Sequence, residues 1–353
     1  MTMHIRYLFI PKNPNLNHCP ESFNAALKCN IFGNSHSNSH IENINRITLG
    51  TIFYLVKNLV SLSSDEVISL FLFQIRLEYL ALIFILKTIC IILSKDLRVY
   101  YMMHEPRLEK GRTNPLKAFL VYISNLLFGF LSSKVLLPSN EAVLKAKSFV
   151  ENQKICQVNL TFMSVPDEIL ERNLFELRCN WEKVKTFSYL GTAVKDKNPQ
   201  GFIKFANIVN KYYVDKARLI RAGSDKNVSI NYDKELIIRF PGYMSNSAKK
   251  FLLGLTHFLV IPYSFSTQSG VIAEALSYGK LLVINDIPAF SCFKNLEFVF
   301  LIDFNDESSI LKCINYLFSM EISDYEKCYR EAVNFYQKNY SVSYLSKTLP
   351  KVL

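Results

Sequence analysis

Val260–Phe290 reads VIPYSFSTQSGVIAEALSYGKLLVINDIPAF. A buried apolar run ends at Pro262, a polar loop Ser264–Gln268 follows, and Ser269–Gly270 opens a helix carrying Glu274. Gly279 ends that helix, and LLVIN at Leu281–Asn285 is a second apolar strand. Near-continuous apolar strands separated by helices belong to a parallel sheet covered on both faces, so this stretch sets the fold class as α/β.

The pattern extends outward on both sides. Strand-like runs lie at Thr186–Leu190 (TFSYL), Ala217–Ala222 (ARLIRA), Glu235–Phe240 (ELIIRF), His257–Tyr263 (HFLVIPY) and Phe298–Ile302 (FVFLI). Between them fall helix-length segments at about 201–212, 245–255, 270–278 and 306–318. This is a Rossmann-like domain over about 183–320, with a further helix at 324–340 and a tail, SVSYLSKTLPKVL, expected to cross back to the first domain.

The N-terminal half carries the same alternation less clearly. His4–Ile10 (HIRYLFI) reads as a buried strand, the prolines of PKNPNLNHCP break regular structure, Glu21–Cys29 has helical patterning, and residues 33–41 (GNSHSNSHI) read as a polar, flexible loop. Leu97–Met103 (LRVYYMM) is a strand ending at His104–Glu105–Pro106. A helix over about 115–132, a strand at Ser133–Leu137 and a helix capped by Ser139 complete an α/β half. A length of 353 residues suits two domains. The expected division is 1–182 and 183–340, with the tail 341–353 returning to the first domain. Two such domains facing each other create a cleft at the carboxyl ends of both sheets, where open α/β sheets bind ligands.

Composition narrows the class. Half the residues are apolar and one-fifth charged, which excludes a disordered chain. The eight cysteines show no C-x-x-C pair and no secretory signal precedes them, so a reducing, cytoplasmic compartment is expected. The net charge is +11, and residues 1–165 hold 17 Lys and Arg against 10 Asp and Glu, a net +7. No Lys/Arg run exceeds two, which argues against nucleic acid as a partner. Residues 79–93 and 118–131 are very apolar, but the first is interrupted by Lys87 and the second has only 14 residues, short of the roughly 20 a span requires. They read as core helices or as helix faces resting on a bilayer.

The chemistry concentrates at Ser269–Glu274. A helix N-terminus presents free N–H groups and partial positive charge, and glycine at its mouth lets a phosphate approach the backbone. Glu274, one turn further in, can accept hydrogen bonds from a ribose diol. The same residues also suit an ordinary helix start, with Gly279 as its C-cap.

PYSFSTQSGVIAEALSYGKLLVINDIPAF resembles the donor-site segment of glycosyltransferase family 4, retaining enzymes of the GT-B fold, in which a Glu, seven residues and a second Glu precede an Ala and a Gly-Lys/Pro-Val strand. FSYLGTAVKDKNPQGFIKFANI resembles the segment opening the family's second domain, LIRAG its next strand, and RFPGYMSNSAKKFLLGL its base-binding loop and helix. VYYMMHEP and VLLPSNEAV resemble the active-site histidine strand and the later strand ending in Ser. The resemblance covers about 183–340 and 97–150.

It implies two Rossmann-like domains facing across a cleft, an acceptor domain at 1–182 and a donor domain at 183–340. It implies no cofactor, and a nucleotide-diphosphate sugar donor. The implied acceptor is a lipid-linked saccharide in surface polysaccharide synthesis, at the inner face of the plasma membrane. By the same resemblance, Glu274 binds the ribose hydroxyls, Lys197 neutralises the leaving diphosphate, and the amides of Ser269 and Gly270 touch the donor. Gly242 and Tyr243 line the base, Gly191 opens the loop bearing Lys197, and His104 faces the transferred sugar. The pattern departs at two places: the first Glu falls at Ser266 and the Arg before the Lys at Thr192. Gln268 is the candidate to contact the donor sugar instead, and Lys195 to replace the missing cation.

Each residue has a plainer reading. His104 can be a strand-capping imidazole and Lys197 a solvated turn lysine. His36 and His40 have i, i+4 spacing but no acidic third ligand nearby, and no Asp-x-Asp triplet occurs, so a metal-independent transferase is expected. The competing class is a catalytically silent GT-B subunit that binds nucleotide or a partner enzyme, motivated by Ser266 and Thr192.

Overall fold

Strand residues 96–102 (DLRVYYM) bury side chains on both faces, and the two faces meet different partners. Val99 and Tyr101 join one apolar cluster, Tyr100 and Met102 another. That period of two is what a strand in the middle layer of three requires.

The structure is a computed structural model that describes residues 4–10, 21–23, 25–27, 40–43, 49–61, 66–73, 77–106, 114–225, 235–266 and 269–352. Its contacts divide the chain into two units, Met1–Met163 with Ser341–Leu353, and Ser164–Tyr340.

The first unit contains β1 (His4–Ile10), β2 (His40–Asn43), α1 (Leu49–Ser61), β3 (Glu66–Leu72), α2 (Leu77–Ile92), β4 (Asp96–Met102), α3 (Pro115–Leu131), β5 (Lys134–Leu137), α4 (Asn140–Ala146) and β6 (Ile155–Gln157). Its sheet is parallel in the order β2-β1-β3-β4-β5-β6. One face packs on Leu55, Leu59, Leu82, Ile83, Leu86 and Phe128 of the helices. The other face packs on Phe23 and Leu27 and on Leu345 and Leu349 of the C-terminal helix Val342–Val352.

The second unit contains α5 (Asp167–Asn180), β7 (Lys185–Leu190), α6 (Pro199–Tyr213), β8 (Ala217–Gly223), β9 (Ile238–Pro241), α7 (Asn246–Leu255), β10 (Phe258–Ile261), α8 (Gly270–Ser277), β11 (Leu281–Asn285), β12 (Val299–Ile302), α9 (Glu307–Ser319) and α10 (Ile322–Asn339); the C-terminal helix is then α11. This sheet is also parallel, in the order β9-β8-β7-β10-β11-β12. Every residue of β7, β10 and β11 is buried, as expected for inner strands covered on both faces. Edge strand β9 is exposed throughout and ends at Pro241, where no ladder donor is needed.

Some elements differ from expectation. Strand β3 and helices α1 and α5 were not anticipated. The expected strand 235–240 is confined to Ile238–Pro241, and residues 40–41, expected in a loop, begin β2. The contact-defined division falls at 163/164, because α5 packs against α7 and α10. Tyr329 donates to the Leu170 carbonyl at 3.0 Å, and Arg330 pairs with Glu171 at 2.9 Å. Among the described residues no helix is long and apolar enough to cross a membrane.

Candidate functional site

In the second unit, chain order reverses between β7 and β10, which are neighbours in the sheet. That is a topological switch point, where the loops leaving adjacent strands diverge and open a crevice at their carboxyl ends. The loop after β7 is Gly191–Asn198, and the loop after β10 is Pro262–Ser269.

Gly191 has φ +105° and donates its N–H to the Ala222 carbonyl at 2.9 Å. A Cβ on Gly223 would lie 2.1 Å from the Gly191 carbonyl oxygen, so the ends of β7 and β8 approach as only glycine allows. A Cβ built on Gly191 would stand 3.5 Å from Lys197 Nζ and 3.8 Å from Val271 Cγ2. The lysine and the first turn of α8 therefore converge over this glycine.

Lys197 is held there by its backbone. The Tyr189 hydroxyl donates to its carbonyl at 3.3 Å, and Asn198, at φ 41°, turns the chain and caps α6 by accepting from Gly201 N–H at 3.1 Å. The two loops are tied together at Asp196, whose carbonyl accepts from Ser264 N–H at 2.9 Å and from the Ser264 hydroxyl at 3.1 Å. Lys197 Nζ also lies 5.5 Å from the centroid of the buried Tyr263 ring. Burial pushes the Tyr263 phenol up to about 12, so it stays neutral.

Ser269 is the N-cap of α8, its hydroxyl accepting from Ile272 N–H at 3.4 Å. The amides of Gly270 and Val271 fall in the first turn, among the donors a helix leaves without intrahelical partners. Glu274 is engaged: Lys249 Nζ on α7 lies 2.7 Å from its Oε2. Ser266 is half-buried in the same loop, and Gln268 lies outside the described residues.

The structure thus brings Gly191, Lys197, Ser269 and Gly270 to one place. Thr192 and Lys195 are exposed on the Gly191 loop. Gly242, at φ +93°, has open space around it, and Tyr243 is 81% exposed, both after β9 and two strands from the switch point. His36 lies outside the described residues, and for His40 only the strand placement is described.

Sequence reasoning passed over Arg221 and Lys249. Arg221 is buried in β8, stacks 4.7 Å from the Tyr189 ring centroid and pairs with Asp225 at 2.7 Å, while Arg239 reaches the other Asp225 oxygen at 3.1 Å. Asp225 thus joins the guanidinium of β8 to that of β9. The signal was available as an arginine among the apolar residues of LIRAG.

In the first unit, His104 follows β4 at the carboxyl edge of the sheet. Burial pushes its imidazole down to about 4, against a hydrogen bond to the Phe73 backbone at the end of β3. Tyr101 donates to Asn125 Oδ1 at 2.6 Å, and Asn125 Nδ2 donates to the carbonyls of Glu105 at 2.8 Å and Pro106 at 3.1 Å. Ser139 caps α4 after the neighbouring strand β5, accepting from Ala142 N–H at 3.1 Å.

No protein-family model matches the chain, and no curated protein matches it by sequence. Solved structures do match. The α,α-trehalose-phosphate synthase (UDP-forming) from Burkholderia xenovorans, in complex with glucose-6-phosphate, is 10% identical with a TM-score of 0.63 and 99% of each chain covered. Anabaena HepE, in complex with UDP and glucose, is 12% identical with a TM-score of 0.61, covering 99% of this chain and 98% of that one. The N-terminal domain of Candida albicans trehalose-6-phosphate phosphatase is 10% identical with a TM-score of 0.64, covering 100% and 97%. The fold is the GT-B fold, with two Rossmann-like sheets in one chain.

Proposed function

We propose that this chain transfers a sugar from a nucleotide-diphosphate sugar to a hydroxyl acceptor. The observation that carries this reading is the convergence of Lys197, Gly191 and the N-terminus of α8 at the switch point of the second sheet. When the acceptor oxygen bonds to the anomeric carbon, the bond from that carbon to the terminal phosphate oxygen breaks, negative charge collects on the departing diphosphate, and its freed phosphate oxygen takes the acceptor's hydroxyl proton. A lysine ammonium and preset N–H donors stabilise that charge without reorganising. Glu274 takes the ribose hydroxyls and His104 the transferred sugar, as the resemblance to family 4 implies; retention of configuration rests on the same resemblance. The 164–340 unit is then the donor-binding part and the other the acceptor-binding part. Support for a nucleotide donor also comes from the fold neighbours, among which HepE holds UDP.

The acceptor is proposed to be a lipid-linked saccharide, reached by peripheral binding at the cytoplasmic face of an anionic membrane. Leu116, Phe119, Leu120, Leu127 and Phe130 of α3 are exposed, and Lys154 donates to the Phe130 carbonyl at 3.1 Å beside them. Exposed apolar side chains with a lysine beside them, in the half that carries +7, suit an anionic interface.

Ser266 and Thr192, standing where family 4 has a carboxylate and a cation, favour the second reading of a catalytically silent nucleotide-binding subunit. A panel of UDP-, GDP- and dTDP-sugars with lipid-linked acceptors separates the two. Turnover of any donor supports transfer. Donor binding without turnover supports the silent subunit, and no binding at all overturns both.

A further inference from the structure

Asparagine is a poor residue for the middle of a helix, because its amide competes for backbone groups. Asn125 sits in the middle of α3, wholly buried, and its hydrogen bonds to Tyr101, Glu105 and Pro106 all leave the helix. Its orientation is fixed by chemistry. The Glu105 and Pro106 carbonyls can only accept, so they must face the NH2, which turns Oδ1 to the Tyr101 hydroxyl. The chain has left β4, which ends at Met102, and Asn125 supplies the Glu105 and Pro106 carbonyls with two side-chain donors.

We propose that Asn125 is the positioning residue for His104, holding the His104–Glu105–Pro106 turn so that the imidazole stays in one orientation at the carboxyl edge of the first sheet. Tyr101 completes the arrangement by locking the amide. The catalytic consequence rests on the reading of His104 given above; the structural part does not. A misplacement of about 1 Å can lower a rate about 100-fold, so the loss of two anchoring bonds is felt at the turn.

The test compares Asn125→Ala, Tyr101→Phe, His104→Ala and the Asn125→Ala/His104→Ala double variant in the full chain, with thermal melts as the folding control. The chain has six histidines, so 13C-labelled histidine resolves the His104 signals by their loss in His104→Ala. Expected are shifted and broadened His104 resonances in Asn125→Ala, a kcat lowered about 10- to 100-fold with donor KM within about 2-fold, and a double variant no slower than His104→Ala alone. Tyr101→Phe moves the same signals less, and decides the matter if Asn125→Ala does not fold. Unchanged His104 resonances in folded variants overturn the proposal. A loss of kcat in His104→Ala without one in folded Asn125→Ala also overturns it, leaving the role of His104 intact. Full activity in His104→Ala rejects that role instead, while shifted resonances still support Asn125 as the residue that positions the turn.

Discussion

Lys249 Nζ lies 2.7 Å from Glu274 Oε2, joining α7 to the first turns of α8. The carboxylate assigned to the ribose is thus oriented by a lysine from another helix. Both side chains are only partly buried, so the pair itself contributes about 0–1 kcal/mol to stability, and its importance lies in geometry. Glu274→Ala is expected to weaken donor binding at least about 10-fold in calorimetry, the loss of charge-assisted hydrogen bonds. Lys249→Ala should weaken it about 2- to 10-fold, by freeing the carboxylate. Unaltered affinity in Glu274→Ala removes the ribose assignment.

Lys197→Ala removes the cation placed over Gly191. Single-turnover kinetics should show kcat lower by about 100- to 1,000-fold, the usual loss when one group facing developing negative charge is deleted. Melting should change little, since Tyr189 and Asp196 hold this loop through its backbone. A normal rate would assign the lysine to the solvated turn.

Gly223→Ala tests the approach of β7 and β8. Its Cβ would meet the Gly191 carbonyl at 2.1 Å, with the backbone at φ +130°, so strands must part. Urea unfolding should register a loss of about 2–4 kcal/mol. A loss below about 0.5 kcal/mol would contradict the close approach.

Lys280, at the start of β11, is wholly buried, and burial pushes its ammonium down to about 7. In the unfolded chain it titrates near 10.5. Between these values the unfolded state holds the proton and the folded state does not, so stability rises with pH, by up to about 1.4 kcal/mol per unit. Below pH 7 both states are charged and the full penalty of burying the charge remains. Lys280→Met should therefore be more stable than the parent at pH 7, with the difference shrinking toward pH 10. A difference that does not vary with pH between 7 and 10 rejects this account.

The exposed face of α3 is tested by sedimentation with phosphatidylglycerol-rich vesicles. Binding at low salt that weakens at high salt is expected, and Phe119→Glu/Phe130→Glu should abolish most of it. No binding at either salt concentration sinks the membrane reading.

Inner strands β7, β10 and β11 were legible because burial on both faces demands unbroken apolar runs, and runs of that kind need no partner to be recognised. Helix α5 was missed although Leu170, Asn173, Leu174 and Leu177 recur at helical spacing, since the remainder of the segment is polar. Strand β3, EVISLFL, lies between two apolar helices without glycine or proline between Ser61 and Leu77 to mark its ends.

Local pattern by itself determined the α/β class and the capped start of α8 at Ser269, because strand burial, capping and helix termini depend on neighbours in sequence. Only the tertiary structure decided which residues meet. The order β9-β8-β7-β10-β11-β12 puts the Gly191 and Ser269 loops side by side, and helix packing brings Lys249 to Glu274 and Asn125 to the turn after His104. Such pairings join residues distant in the chain, and a side chain's partner across a sheet or between helices leaves no periodic trace in the sequence.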